Sequence, residues 1–360
     1  MKDVDSWLVQ RLQQLSTEKY VVNVDTIPGD NFLRLNANEN LLFPQEVLSQ
    51  VITETMKEVD LRTYPRVEEK QLHQTLSTYH SLPPNFFVIN NGSDPLIESC
   101  VKAFLQSHEQ VISISPTFSM FKIISKNEGH EYLEVPLNQD FSLNVDAILS
   151  TATPDTRLCF INSPNNPTGN QFTIQDIHEL LTNFNGVIVI DEAYVEFASY
   201  TLKKVIEEYE NLVLLRTFSK AFGIAGLRIG YSIANDKLTN ALKRVQLPYN
   251  INKVSLTFAR KLLQRQKHIY SVLQQVKTER TTLYNNMCAM PGLTAYHSET
   301  NFILFQTNNT EQTFRSLLNQ NILVRKFDNI QNRGCFLRVT VGTPSMNKLF
   351  LDALHIANEN

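Results

Sequence analysis

Val187-Ile188-Val189-Ile190 is an unbroken β-branched run that ends at Asp191-Glu192-Ala193-Tyr194. Such a run has no polar face to offer water. It predicts a strand covered on both sides, as in a parallel sheet between helices. Short apolar runs recur at Phe87–Asn90, Val111–Ser115, Arg157–Ile161, Leu212–Leu215 and Arg228–Ile233. Helical spacing lies between several of them, as at Ile174–Leu181. This alternation predicts an α/β fold with a mostly parallel central sheet and right-handed crossovers. Each run exits into a polar or small-residue cluster, and the carboxyl ends of strands are where ligands bind in open α/β sheets. No G-x-G-x-x-G follows any of them, which argues against the usual dinucleotide fold.

One exit is unusually rich. Leu212–Leu215 continues as Arg216-Thr217-Phe218-Ser219-Lys220-Ala221-Phe222-Gly223-Ile224-Ala225-Gly226-Leu227-Arg228. A lone lysine is ordinarily a solvated surface group. Here an amine, two hydroxyls and an arginine share a small-residue loop, which suits a phosphate that also carries an aldehyde. Lys220 would hold the aldehyde as a Schiff base, and Thr217, Ser219 and Arg228 would hold the phosphate.

Pyridoxal 5′-phosphate is such a molecule, and its other requirements have candidates. Asp191 would keep the pyridine nitrogen protonated, unless it is simply a cap at a strand end. Asn166 and Tyr194, after neighbouring strands, would donate to the phenolate oxygen. Phe118 would stack on the ring. Gly92, Ser93 and Asp94 precede a helix with Leu96, Ile97, Cys100, Val101 and Phe104 on its apolar face, and free N–H groups there favour an anion. Asp94 reads as the N-cap and Pro95 as the first helical residue. Taken alone, that cluster is also what an ordinary helix cap looks like.

A formal net charge of −3 makes no electrostatic case for nucleic acid or an anionic membrane. No apolar run approaches the roughly 20 residues of a membrane-spanning helix, and the first residues lack the apolar core of a signal peptide. Cys100, Cys159, Cys288 and Cys335 form no CxxC pair and have no histidine at ligand spacing, so reduced thiols and no metal site are expected. The expectation is a cytoplasmic protein acting on small molecules.

At 360 residues the chain has room for two domains. An N-terminal arm, 1–32, is expected to join the smaller domain. A large cofactor-binding domain over 33–254 and a small α+β domain over 255–360 follow. Helices are expected at 45–58, 68–80, 253–287 and 311–319, and late strands at 301–306, 322–325 and 336–341. Tyr64-Pro65 falls between the first two helices. Its hydroxyl could reach a ligand or a partner subunit, or the ring could merely pack in the turn.

The order of these segments carries a resemblance. Leu35-Asn36-Ala37-Asn38-Glu39-Asn40, Tyr64-Pro65, Asn91-Gly92-Ser93-Asp94, Pro116-Thr117-Phe118-Ser119-Met120 and Asn165-Asn166-Pro167-Thr168-Gly169 come first. Asp191-Glu192-Ala193-Tyr194, the Lys220 loop, Pro248-Tyr249-Asn250 and Leu337-Arg338-Val339-Thr340-Val341-Gly342 complete it. The chain resembles the fold type I, pyridoxal phosphate-dependent aminotransferases over nearly its whole length, and within them the histidinol-phosphate branch.

The resemblance implies a homodimer with shared sites, in which Tyr64 reaches the partner's cofactor phosphate, and a cis Asn166–Pro167 bond. It implies Lys220, Asp191 and Tyr194 as the catalytic set. It also makes Arg325 and Arg338 the grip on a substrate phosphate, with Arg338 holding the α-carboxylate of glutamate in the other half-reaction. Tyr20 and Asn38 become substrate contacts. The implied reaction exchanges an amino group between histidinol phosphate and 2-oxoglutarate, giving imidazole-acetol phosphate and glutamate in histidine biosynthesis.

Departures from the family pattern loosen the substrate assignment. Pro95 replaces a glutamate, Arg66 an aspartate and Phe118 a tyrosine, and Tyr20 lacks its usual Pro-Tyr-x-Pro-Gly setting. An aromatic aminotransferase and a threonine-phosphate decarboxylase remain alternatives. A cofactor-sensing regulator would need a DNA-binding domain and a basic patch, for which the match leaves no room.

Overall fold

The computed structural model describes residues 32–359, so Tyr20 and all but the last residue of the arm expected at 1–32 lie outside the described residues. The chain enters on β1 (Leu33–Arg34) and then forms α1 (Gln45–Glu58) and α2 (Glu68–His80). Both helices bury one stripe at i, i+4 spacing, through Val47, Val51 and Thr55 and through Leu72, Leu76 and His80.

Strands and helices then alternate. The order is β2 (Phe87–Asn90), α3 (Asp94–Phe104), β3 (Gln110–Ser115), α4 (Met120–Asn127), β4 (Tyr132–Pro136), α5 (Val145–Thr151), β5 (Thr156–Asn162) and α6 (Ile174–Asn183). They are followed by β6 (Val187–Asp191), β7 (Leu212–Thr217), β8 (Gly230–Ala234) and α7 (Asp236–Arg244). These strands make a seven-stranded sheet in the order β2-β8-β7-β6-β5-β3-β4. Only β8 runs against its neighbours, β2 and β7.

The central strands show why the β-branched runs were needed. Ile188 and Ile190 enter one hydrophobic cluster, while Val189, between them, enters the cluster on the opposite face. Leu212 and Leu214 alternate with Val213 and Leu215 in the same way. All of these side chains are fully buried, each worth about 1.5–3 kcal/mol relative to exposure.

The remainder is α8 (Lys253–Leu263), α9 (Gln266–Cys288), β9 (Leu293–Ala295), β10 (Phe302–Thr307), α10 (Thr310–Asn319), β11 (Ile322–Leu323), β12 (Arg325–Phe327), β13 (Phe336–Thr340) and α11 (Pro344–Glu359). A four-stranded antiparallel sheet has the order β12-β13-β10-β9. β1 pairs in parallel with β11, Leu33 opposite Ile322, so residues 33–34 sit with the C-terminal body.

Several expectations need correction. The helix expected over 253–287 is broken at Gln264-Arg265. α8 packs on α1 and α2, and Arg265 ties the break to α1 through Glu54 at 2.5 Å. The strand expected at 322–325 divides between two sheets, because Ile322–Leu323 pairs with β1 while Arg325 pairs with β13. In α3 the N-cap is Ser93, and Asp94 is the first helical residue with Pro95 behind it. The Asp94 carboxylate engages Arg228 at 3.3 Å and so caps nothing. β4 was not anticipated: it is an edge strand that buries little beyond Val135, so it carries no two-residue periodicity to read.

Candidate active site

β5, β6 and β7 run in register, with Asn162 beside Asp191 and Asp191 beside Leu215, so their exits share one edge. Asp191 is 3% exposed. Its Oδ1 accepts the Ala193 N–H at 3.0 Å, and among the described residues no cationic side chain forms an ion pair with it. Burial pushes its pKa up to about 7, against the opposing pull of the Ala193 hydrogen bond. A buried carboxylate without a cation is matched chemically to a ligand N–H⁺.

Lys220 leaves the end of β7 into the same space. Its Nζ donates to Ala37 O at 2.9 Å and lies 5.9 Å from the centroid of the Tyr194 ring. Burial first, and then the positive charge of Arg338, bring its pKa down to about 8. An amine so placed has a much larger neutral fraction near physiological pH than a solvated lysine, and that fraction can act as nucleophile or base.

Behind these groups the sheet edge is fastened by charge. Arg216 donates to Glu192 Oε2 from Nε at 2.9 Å and contacts it from Nη2 at 2.7 Å; Nη1 reaches Glu196 at 2.8 Å, all in the buried interior. Arg216 precedes Thr217 and Glu192 follows Asp191, so the ion network joins the two strand ends next to the site. Asn162 adds a second fastening, since its Nδ2 donates to Asp191 O at 2.9 Å and its Oδ1 accepts the Asn166 N–H at 2.8 Å.

A group of hydrogen-bond donors gathers into a cup at the start of α3. Arg228 adopts φ +48° and sends Nη1 to Ser219 Oγ at 3.3 Å and Nη2 to Asp94 Oδ2 at 3.3 Å. Gly92 has φ +98°, and a Cβ there would stand 2.8 Å from Arg228 Nη2. The first N–H groups of a helix have no intrahelical acceptor and so face this arginine's neighbourhood available to an anion. The Thr217 hydroxyl is turned into the loop instead, accepting the Ser219 N–H at 3.1 Å.

Gly230 was missed by sequence reasoning. A Cβ at Gly230 would lie 2.5 Å from Gly92 C and 2.6 Å from Ser93 N, so only glycine lets β8 pass against the cup. The available signal was an isolated glycine opening a strand. Gly230→Ala is expected to weaken pyridoxal phosphate binding by tenfold or more (about 1.4 kcal/mol is tenfold). Fluorescence titration of the cofactor-free protein measures it, and unchanged affinity would remove Gly230 from the site.

The opposite wall comes from the small sheet. Arg338 is buried and stacks over Phe302 at 5.0 Å and Phe327 at 5.6 Å. Its Nη1 donates to Asn166 Oδ1, and its Nη2 to Asn36 O at 2.8 Å. Arg325 lies directly opposite Arg338 on the neighbouring strand. Asn38, at φ +55°, donates from Nδ2 to Tyr194 OH at 3.0 Å, while its own N–H reaches Thr340 Oγ1 at 3.0 Å.

Lys220, Tyr194, Asn38, Asn166 and Arg338 thus join through direct contacts or shared neighbours around one cleft, and Asp191 is near enough for the charge of Lys220 to act on it. Gly92, Ser93, Asp94, Ser219 and Arg228 form the adjoining cup. Phe118 follows β3 on the same sheet edge, part-buried and edge-on to Phe121 at 5.7 Å. The Asn166–Pro167 bond is cis, as the resemblance implied. Tyr64 is not brought into the cleft: it is 68% exposed and stacks on Tyr249 at 5.0 Å. The carbonyls of Asn36 and Ala37, which hold Arg338 and Lys220, had no side-chain signal by which to be found.

The sequence pattern of the family described as aminotransferase class I and II matches residues 30–354. The chain is 35% identical to the histidinol-phosphate aminotransferase of Thermoanaerobacter pseudethanolicus over 323 residues, 89% of this chain and 92% of that protein. Among solved structures, the histidinol-phosphate aminotransferase from Clostridium acetobutylicum superposes with TM-score 0.83 at 26% identity, covering 91% of this chain and 100% of that one. The Sinorhizobium meliloti histidinol-phosphate aminotransferase in complex with pyridoxal-5′-phosphate gives 0.83 at 20%, covering 96% and 99%. The L-threonine-O-3-phosphate decarboxylase from Porphyromonas gingivalis gives 0.79 at 23%, covering 91% and 99%. The last two, at these identities, are likenesses of fold alone.

Proposed function

The chain belongs to the class I and II aminotransferases, and from that premise we propose that it transfers the amino group of histidinol phosphate to 2-oxoglutarate. Pyridoxal 5′-phosphate is its cofactor, and the residues fit it: Asp191 is a buried carboxylate with no ion pair among the described residues, and Gly92 and Gly230 leave a cradle that any Cβ would fill. When bound, the cofactor supplies the electron sink for the charge left when the donor's Cα proton is removed. Lys220 would hold the cofactor and afterwards carry that proton on Nζ. Asp191 would hold the proton on the pyridine nitrogen, and Tyr194 and Asn166 the phenolate oxygen. Gly92, Ser93, Asp94, Ser219 and Arg228 would hold the phosphate, and Phe118 would cover the ring.

One observation carries the choice of substrate. Arg325 and Arg338 face each other across β12 and β13, a like-charge pair that would be unfavourable on a sheet unless an anion lies between them. Among the described residues no carboxylate forms an ion pair with Arg325. Two permanently charged guanidiniums suit a terminal phosphate, or the carboxylate of glutamate in the second half-reaction. The exposed apolar surface at Leu61, Tyr64, Val67, Leu247 and Tyr249 supports a homodimer in which Tyr64 serves the partner's cofactor phosphate. No helix among the described residues is long and apolar enough to cross a membrane, and the four cysteines are unpaired, which suits a cytoplasmic enzyme.

The test is a half-reaction panel that follows the cofactor's visible absorbance. Histidinol phosphate should bleach it at the lowest concentration of any donor. Arg325→Ala should raise the KM for histidinol phosphate by about ten- to hundredfold, the equivalent of ~1.5–3 kcal/mol for a hydrogen bond to a charged group. Bleaching by aromatic amino acids alone would overturn the substrate, and carbon dioxide release from threonine phosphate would make the enzyme a lyase.

A further inference from the structure

The strands bearing Arg325 and Arg338 are joined by residues 328–335, and this loop reaches across to the seven-stranded sheet. Gln331 Nε2 donates to Leu137 O at 2.7 Å and to Ser115 O at 3.3 Å. Arg333 Nη1 donates to Gln139 O at 2.8 Å, and Nη2 to Tyr296 OH at 2.9 Å. Its guanidinium stacks over Phe141 at 4.9 Å, Phe336 at 5.7 Å and Tyr296 at 5.8 Å. Phe141 and Gln139 follow β4, whereas Tyr296 and Phe336 belong to the small-sheet body. One guanidinium is therefore held between the two bodies.

The loop is also tied within its own body. Arg333 N–H donates to Ile330 O at 2.9 Å, and Gln306 Nε2 donates to Arg333 O at 3.1 Å and Cys335 O at 3.0 Å. β12, which carries Arg325, is an edge strand of three residues paired only with β13. Lys326, paired with Glu311 at 2.5 Å and lying over Phe314, and Phe327, packed on the core, also hold β12, and the loop adds its tie to the larger sheet.

We infer that the 328–335 loop is a strut that sets the distance between the Arg325–Arg338 pair and the cofactor-binding sheet, with Arg333 and Gln331 as its positioning residues. The inference rests on the reading of that pair as the grip on the substrate's anion. The cofactor face does not depend on the strut, because Ser115 O also accepts the Leu137 N–H at 2.9 Å. The turn before Phe118 stays held when Gln331 or Arg333 is changed. Loosening the strut should then weaken substrate binding and leave the cofactor undisturbed.

Arg333→Met keeps bulk and removes both the charge and the hydrogen bonds. In the holoenzyme it should raise the KM for histidinol phosphate about tenfold, since small misplacements of a binding group cost that much or more. The kcat should stay within about twofold of the parent, and the pH titration of the cofactor's absorbance should be unchanged. Arg333→Lys should recover part of the loss, and Gln331→Leu should reproduce it in smaller degree. An unchanged KM, or a fall in thermal stability with no change in KM, overturns the inference. So does a shift of the absorbance titration alongside KM, which would assign the loop to the cofactor face. If the parent enzyme does not convert histidinol phosphate, the substrate reading fails separately, and the same comparison with glutamate still tests the strut through the carboxylate held by Arg338.

Discussion

Lys220→Ala should lower transamination by at least about four orders of magnitude, because it removes both the covalent attachment and the proton carrier. Among the described residues no other lysine has the setting of Lys220, whose Nζ stands between Ala37 O and the Tyr194 ring and whose pKa is brought down to about 8 by burial and by Arg338. Borohydride reduction followed by mass spectrometry reads the chemistry directly. The cofactor's mass should be fixed to the peptide containing Lys220 in the parent and to no peptide in the variant. The variant should still bind cofactor non-covalently, since Gly92, Ser219 and Arg228 are untouched. Residual turnover above about a hundredth of the parent would mean that another base moves the proton.

Asp191→Asn should give two effects of opposite kind. Turnover should fall about 10²–10³-fold, the usual cost of removing a preorganised electrostatic partner. The cofactor-free protein should nevertheless become more stable at pH 8. Folded Asp191 has its pKa raised from 3.8 to about 7 by burial, so between pH ~4 and ~7 the folded chain holds a proton that the unfolded chain has released. Stability contributed by this group is therefore lost as pH rises through that window. The loss is at most ~4 kcal/mol above pH 7, taking 1.36 kcal/mol per pKa unit. Asparagine does not titrate and can still accept the Ala193 N–H. Thermal unfolding of the two cofactor-free proteins across a pH series should show a gap at pH 8 that closes towards pH 4. A variant less stable at pH 8 would show that the carboxylate is held favourably by the protein itself, against the proposed role of a ligand N–H⁺.

The same buried carboxylate shows what could be read locally. Asp191 follows four β-branched residues, so its burial at a strand end was legible, while its choice over an ordinary strand-end cap came from the other clusters around it. The Lys220 loop was legible for a similar reason: its chemistry requires an amine, hydroxyls and an arginine close together in sequence. Features that depend on packing were less visible. The break at Gln264-Arg265 leaves the helical periodicity nearly intact, and it follows from α8 docking on α1 and α2 with Arg265 tied to Glu54. Gly230 matters only because the Gly92–Ser93 backbone passes beside it.

The amino-acid sequence by itself determined the strand-and-helix alternation, the ligand edge of the sheet and the kind of cofactor chemistry, because hydrophobic period and residue type are local properties. Only the tertiary structure decided that Arg325 stands opposite Arg338, that Asn38 reaches Tyr194, and that Arg333 bridges the two bodies. Those pairings depend on strand register and on carbonyls contributed from distant parts of the chain. No local pattern encodes them, because each joins residues far apart in the chain.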